Sequence, residues 1–382
     1  MTNEQSEMDT GSNPMSYARS RLLLGVSAVG TVVFLASALL LFRQALPAPG
    51  DLNDHTLLVL FFVSVAVIHV PFDVLGGYLL PKSAGRQPLS AGAFALALLR
   101  GFSAHTAVLL LIAELMLLST GFLGRLGFII AAVVTLPTLL VARWSIARVV
   151  GGLGPQQSGS DGDIKLVASS DEGFTGGIMG ALRPGPILTP MHWTSSMTPS
   201  AVRSVIERRR IAASSGSWLR GRVTALAFTL SGVSVSALVV PASTVGTATG
   251  VVIFSLCFTI WSFLGLLTLP TLSRAAAIKL DAAARVAGTT ATDLKEALSG
   301  LDRMQDDEPA RSRWVERIFH PIPSVESRGS RIGSVDASHK PPGAWDVART
   351  SIYLSWAGLG LLSRSVHCNC GRPALWVFLP TE

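Results

Sequence analysis

The chain has 382 residues, 49% hydrophobic and only 14% charged, with a mean hydropathy of +0.48 and a formal charge of +7. Soluble domains carry about 25% charged residues, so this composition excludes an ordinary soluble enzyme and points to a membrane. The basic residues flank apolar runs, and no nucleic-acid partner is expected of them.

Residues 1–18 are polar and read as a disordered leader. A hydrocarbon core of about 30 Å takes roughly 20 apolar residues in helix. Six runs meet that need: about Leu22–Phe42, Thr56–Leu75, Ser103–Thr120, Leu126–Val141, Val223–Val240 and Val251–Leu269. The first reads as a signal anchor, because its leader carries Glu4, Glu7 and Asp9 and its apolar run exceeds that of a cleaved signal. The first four runs make a membrane region over 19–142, where Pro71 should kink the second span. With the N-terminus inside, the inner segments hold Arg19, Arg21, Lys82, Arg86, Arg100, Arg143, Arg148 and the basic stretch Arg203–Arg222. The outer loops then hold only Arg43 and Arg125, as the positive-inside bias requires. The expectation is an integral plasma membrane protein of the bacterial inner-membrane kind, with its N-terminus and soluble domain cytoplasmic. An inside location argues against a disulfide among Cys257, Cys368 and Cys370.

A soluble segment, 143–222, opens on a Gly-rich linker at Gly151. Ile164–Ala168 and Ile187–Thr189 are short apolar runs between Gly and Pro residues, which suits strands, with a glycine turn at Gly173–Gly177. Thr198-Pro199 starts a helix as N-cap and first-turn proline. Ala201, Val202, Val205 and Ile206 give that helix one buried face. A two-span hairpin, 223–269, interrupts the soluble part, which resumes over 270–332 with helices at Ser273–Gly288 and Asp293–Arg303. His320–Pro323 breaks the chain, Ser324–Gly343 reads as loop, and Asp346–Ser363 as a short extra helix within a C-terminal extension, 333–382.

This order of elements resembles the HtpX-like membrane zinc metallopeptidases, the clan that includes the prenyl-protein endopeptidases. In that family an HExxH helix precedes two spans, a helix with a Glu-x-x-x-Asp pattern follows them, and a His-Pro motif with a downstream Arg comes later. Ser273-Arg274 and Asp281 resemble the second motif; Phe319-His320-Pro321 with Arg328 and Ile332 resembles the third. Gly173-Phe174 followed by Ile187–Thr189 resembles the edge strand before the first. The resemblance implies a polytopic α-helical membrane protein of about six transmembrane helices with a split cytosolic α+β metallopeptidase-like domain.

It also implies zinc, and the ligands are missing. Two His four residues apart should share a helix face, with a Glu between them as general base. No two of the seven His are four apart. In the register set by Val205-Ile206, the His slots hold Arg208 and Ala212, the base slot holds Arg209, and the third ligand maps to Ala277, with Asp281, His320 and Arg328 retained. A slip of two residues puts Glu207 in the base slot but Ile206 and Arg210 in the His slots. Arginine is a cation without an acceptor. The expectation is therefore a degenerate family member with no cofactor, binding membrane-protein segments or an active peptidase as partner. The alternatives are an active metalloendopeptidase with a non-standard site, and an ion-coupled transporter or sensor.

Other candidate residues follow from type and position. Ile187, Leu188 and Thr189 would pair with an extended peptide by strand addition. Arg208, Arg209, Arg210, Arg220 and Arg222, beside the fifth span, would meet membrane lipids or an acidic partner, or simply fix topology. His69, Asp73 and Glu114 lie within spans, where ionisable groups by default suggest function. A His69–Glu114 pair, Asp73 with His105 or Arg100, or a structural polar clamp are the readings open to them. His367-Cys368-Asn369-Cys370 has metal-capable atoms, but its Cys-x-Cys spacing is too tight for a usual zinc site.

Overall fold

A computed structural model describes residues 16–86, 89–159, 161–306, 311–312, 314–316, 320, 322–332, 342–357, 360, 362–366 and 369–379. Six of its helices are long and apolar enough to cross a membrane, and each contains one of the six apolar runs. They include α1 (Tyr17–Leu41), α2 (Asp54–Val74), α3 (Ala91–Leu123) and α4 (Leu126–Gly151). After α5 (Pro199–Ser214) come α6 (Ser217–Val239) and α7 (Ala248–Thr268). Short polar residues start four of them: Ser16 caps Arg19 N, Asn53 caps His55 N, Ser90 caps Ala93 N and Thr247 caps Gly250 N. Helix α1 starts inside the leader expected to be disordered; residues 1–15 lie outside the described residues. The 33 residues of α3 run about 50 Å, well past a hydrocarbon core of about 30 Å.

Pro71 lies inside α2, and the helix widens into a π-turn at Leu75–Leu79 before continuing through Leu80–Ser83. A proline removes one ladder donor, and π-turns are a common way to absorb such a fault. Gly76 and Gly77 sit in that turn, and a Cβ on Gly77 would meet the Gly371 carbonyl. The glycines let the two backbones touch.

Outside the spans, β1 (Gln156–Ser158), β2 (Ile164–Val167), β3 (Gly177–Ile178) and β4 (Ile187–Pro190) form one sheet in the order β1-β2-β4-β3. The β2–β4 pair is parallel and the other two are antiparallel. Helices α8 (Pro270–Val286), α9 (Ala291–Gln305) and α10 (Val325–Ile332) complete this part. Helix α10 lies in a stretch expected to be loop; its Arg328 and Ile332 turn inward and are buried. Helices α5 and α8 are separated in sequence by α6 and α7, yet pack on one another.

The C-terminal stretch is not a peripheral extension. Its α11 (Val347–Leu354) packs against α6, α7 and α8, the short helix Leu362–Ser365 against α1, and α12 (Pro373–Val377) against α4 and α3. Trp345, Tyr353, Trp356, Trp376 and Phe378 are buried there, so the segment fills the space between the spans. Polar contacts hold it: Arg143 donates Nε and Nη2 to the Val377 carbonyl (3.1 and 3.0 Å) and stacks on Tyr353 and Phe378. Tyr353 Oη donates to the Leu139 carbonyl (2.7 Å), and Arg222 Nη1 donates to Thr350 Oγ1 (3.0 Å). Truncating a buried tryptophan costs about 3–5 kcal/mol. Trp376→Ala should therefore lower the thermal midpoint of the detergent-purified protein sharply, while Trp314→Ala, at a side chain 73% exposed, should not.

Candidate functional site

The face of α5 that packs on α8 carries Arg208, four residues from Ala212, so the two share a side. The facing side of α8 carries Ala277 and Asp281, again four apart. Arg208 and Asp281 meet there: Nε lies 2.8 Å from Oδ1, with both side chains 5% exposed or less. From α10, Arg328 forks the same carboxylate, Nε to Oδ2 and Nη2 to Oδ1, both at 2.7 Å. The Arg208 contact is a charge contact off the hydrogen-bond axis, whereas the Arg328 fork has the paired geometry that guanidinium and carboxylate favour. Arg208, Asp281 and Arg328 thus meet at one buried spot, with Ala212 and Ala277 buried one turn away on the same helix sides. Among the described residues, Asp281 is the carboxylate that both guanidinium groups share.

The rest of the basic cluster is spent on structure. Arg209, 1% exposed, donates Nη1 to the Leu188 carbonyl (3.0 Å) and Nη2 to the Thr175 carbonyl (2.6 Å), tying α5 to the sheet. Arg210 forks Asp163 and reaches Asp161, a pairing that raises the Arg210 pKa and lowers that of Asp163. Arg220 donates to the Pro342 and Ser215 carbonyls, and Arg222 is buried against α11. The expected lipid or acidic-partner surface is thereby corrected: Arg208, Arg209 and Arg222 are no more than 2% exposed and face protein oxygens. The peptide strand is corrected too. Ile187, Leu188 and Thr189 lie in β4, which is interior to the sheet, with β2 on one side and β3 on the other. A peptide pairing with Ile187 and Leu188 would first have to displace β3.

Arg274, at the start of α8, donates Nη1 to the carbonyls of Glu316 (2.7 Å) and His320 (2.8 Å). This brings the loop of the third motif to the second; Phe319 and Pro321 lie outside the described residues. His320 is buried, and burial followed by the charges of Arg311, Arg274 and Arg349 holds its pKa well below the usual value.

Of the intramembrane groups, His69, Asp73 and His105 lie around Arg364, while Glu114 is elsewhere. Glu114 meets His55 Nδ1 at 2.8 Å, not His69. Asp73 pairs with Arg364 of the C-terminal segment and accepts from Gly371 N (2.7 Å), not from His105 or Arg100. His69 Nδ1 turns to the Val65 carbonyl of its own helix (3.1 Å), and the His105 ring sits edge-on to Trp356 at 4.1 Å. Sequence reasoning missed Arg364 because its carboxylate lies nearly three hundred positions away. Cys370 is buried, and His367 and Cys368 lie outside the described residues. Among the described residues, no three His, Cys, Asp or Glu side chains converge in a way that could hold a metal.

Spans, sheet and the packed α5–α8 pair together define the architecture. It is similar in fold to Ste24p. The crystal structure of S. mikatae Ste24p matches with a TM-score of 0.61 over 83% of this chain and 83% of that one, at 12% identity. At that identity the likeness to Ste24p establishes the fold. No family model matches the sequence, and no curated protein matches it either.

Removing one partner of a buried ion cluster costs about 3–5 kcal/mol, whereas replacing all members by apolar residues is often neutral. Asp281→Asn should thus destabilise the protein strongly, and the triple change Arg208→Met, Asp281→Leu, Arg328→Leu should recover most of the loss in a thermal-shift assay. His320 gives a second expectation. Below its ordinary value of 6.5 the unfolded imidazole takes a proton that the folded one refuses. Stability should fall with falling pH, by up to about 1.4 kcal/mol per pH unit from this residue, and His320→Asn should flatten that slope.

Proposed function

We propose that this chain is a membrane-embedded metallopeptidase-like protein whose site does not support zinc hydrolysis. The observation that carries the reading is the Arg208–Asp281–Arg328 cluster, which lies where the resemblance puts the metal. Its slots hold two arginines and two alanines. Guanidinium groups have no lone pair for a metal and repel a divalent cation. The residues therefore do not fit zinc. In this reading the elements flanking α6 and α7 are two halves of one cytosolic α+β domain, joined across the gap by an ion pair instead of a shared metal. The protein then acts by association, holding segments of membrane proteins or an active peptidase beside it in a plasma membrane of the bacterial inner-membrane kind. Transport through His69, Asp73 and Glu114 is less well supported, since Glu114 sits with His55 while Asp73 anchors the C-terminal segment.

Metal analysis of the detergent-purified full chain tests the proposal. The expected result is no stoichiometric zinc, and about one zinc per chain in the variant Arg208→His, Ala212→His, Ala277→Glu, which refills three ligand slots on the facing sides of α5 and α8. About one tightly held zinc in the unaltered chain, lost with a chelator together with proteolysis of a membrane substrate, would overturn it.

A further inference from the structure

A cavity of about 590 Å³ lies away from the Asp281 cluster, at the end of the bundle where α1, α2, α3 and α4 meet the loop after β2 and the end of α9. Its depth can be read from the chain. The lining residues Tyr17 and Arg21, Gly76 and Pro81, and Arg100 lie within a few residues of the same end of an apolar run, with Phe94 and Gly151 further out on that side. Four helices therefore place the cavity at the level of the lipid headgroups.

Its lining is amphipathic. Phe94 and Pro81 are buried in its wall, and on α3 the neighbouring Leu96 and Leu99 are 69% and 62% exposed. Among the described residues the polar side holds four arginines, Arg21, Arg86, Arg100 and Arg372, against three carboxylates, Asp171, Glu172 and Asp306, a balance of +1. Asp306 gathers three of the arginines: Arg86, Arg372 (3.1 Å) and Arg21 (3.6 Å). Arg372 also forks Asp171, whose carboxyl, despite burial, is held below the usual range by that guanidinium. Arg86 is half exposed and stacks on Tyr17, 4.3 Å from the ring centroid. The fourth, Arg100, has no hydrogen bond or ion pair among the described residues; its guanidinium lies against Gly152 at the cavity wall.

We infer that this cavity binds a phosphate ester, and that its occupant is the headgroup of an anionic phospholipid. The excess charge of +1 matches one phosphodiester. Guanidinium groups fork phosphate oxygens, and the exposed leucines of α3 offer a path for acyl chains. The same phosphate chemistry is present in soluble esters, which lack those chains. The inference does not depend on the reading of the Asp281 site.

The test is native mass spectrometry of the full chain released from nanodiscs of phosphatidylcholine doped with phosphatidylglycerol, with glycerol phosphate as soluble competitor. One retained phosphatidylglycerol per chain is expected. Near a membrane surface one basic residue changes anionic-lipid binding roughly fivefold. Arg100→Gln should weaken retention by about that factor, and Arg100→Lys should restore most of it, with unchanged thermal midpoints. Retention that ignores glycerol phosphate supports the lipid as occupant. Displacement by glycerol phosphate keeps the phosphate site but overturns the lipid assignment. Equal retention in wild type and Arg100→Gln, or no preference over phosphatidylcholine, overturns the site itself.

Discussion

A guanidinium group is costly to bury unless oxygen atoms lie close enough to offset its charge, and that constraint organises this molecule. Arg208 and Arg328 share Asp281, Arg209 takes two carbonyls of the sheet region, and Arg143 takes the end of the C-terminal segment. Each of these contacts joins elements far apart in sequence. The arginines therefore act as the internal fasteners of a fold whose outer face is lipid-soluble, and the hydrophobic effect alone would not choose among ways of bundling six apolar helices. Ion pairing across α5, α8 and α10 holds together stretches that α6 and α7 separate in sequence.

The spans were legible because lipid demands long uninterrupted apolar runs, and nothing else in the sequence mimics them. Their ends were not, since helices such as α3 continue past the hydrocarbon where no composition rule stops them. Strands β2 and β4 announced themselves through Gly and Pro punctuation. Strand β3 did not, being only Gly177–Ile178, and without it β4 looked like an edge. The basic stretch was misread for a related reason. Charge in a sequence looks like surface until its acceptors are known, and those of Arg208 and Arg222 lie on Asp281 and Thr350.

The C-terminal segment shows the same failure in reverse. Asp346, Arg349 and several serines argue against a seventh span over Asp346–Ser363, and say nothing of where that stretch packs. The interior is polar where it receives them: Ser273 Oγ accepts from Ala348 N (3.2 Å), and Ser217 Oγ donates to the Gly343 carbonyl (2.6 Å). Complementary polar groups on the spans and on the segment lower the cost of burial together, and neither half is interpretable alone.

That arrangement has a consequence for biogenesis. All six spans are synthesised before the segment that fills the space between them. While the ribosome is still occupied with residues beyond α10, Asp73, Arg143 and Arg222 stand inside the nascent bundle without Arg364, Val377 and Thr350 to answer them. Until that segment emerges these polar groups lack the partners the folded protein gives them, so the stretch that follows α10 closes a bundle whose spans are already made.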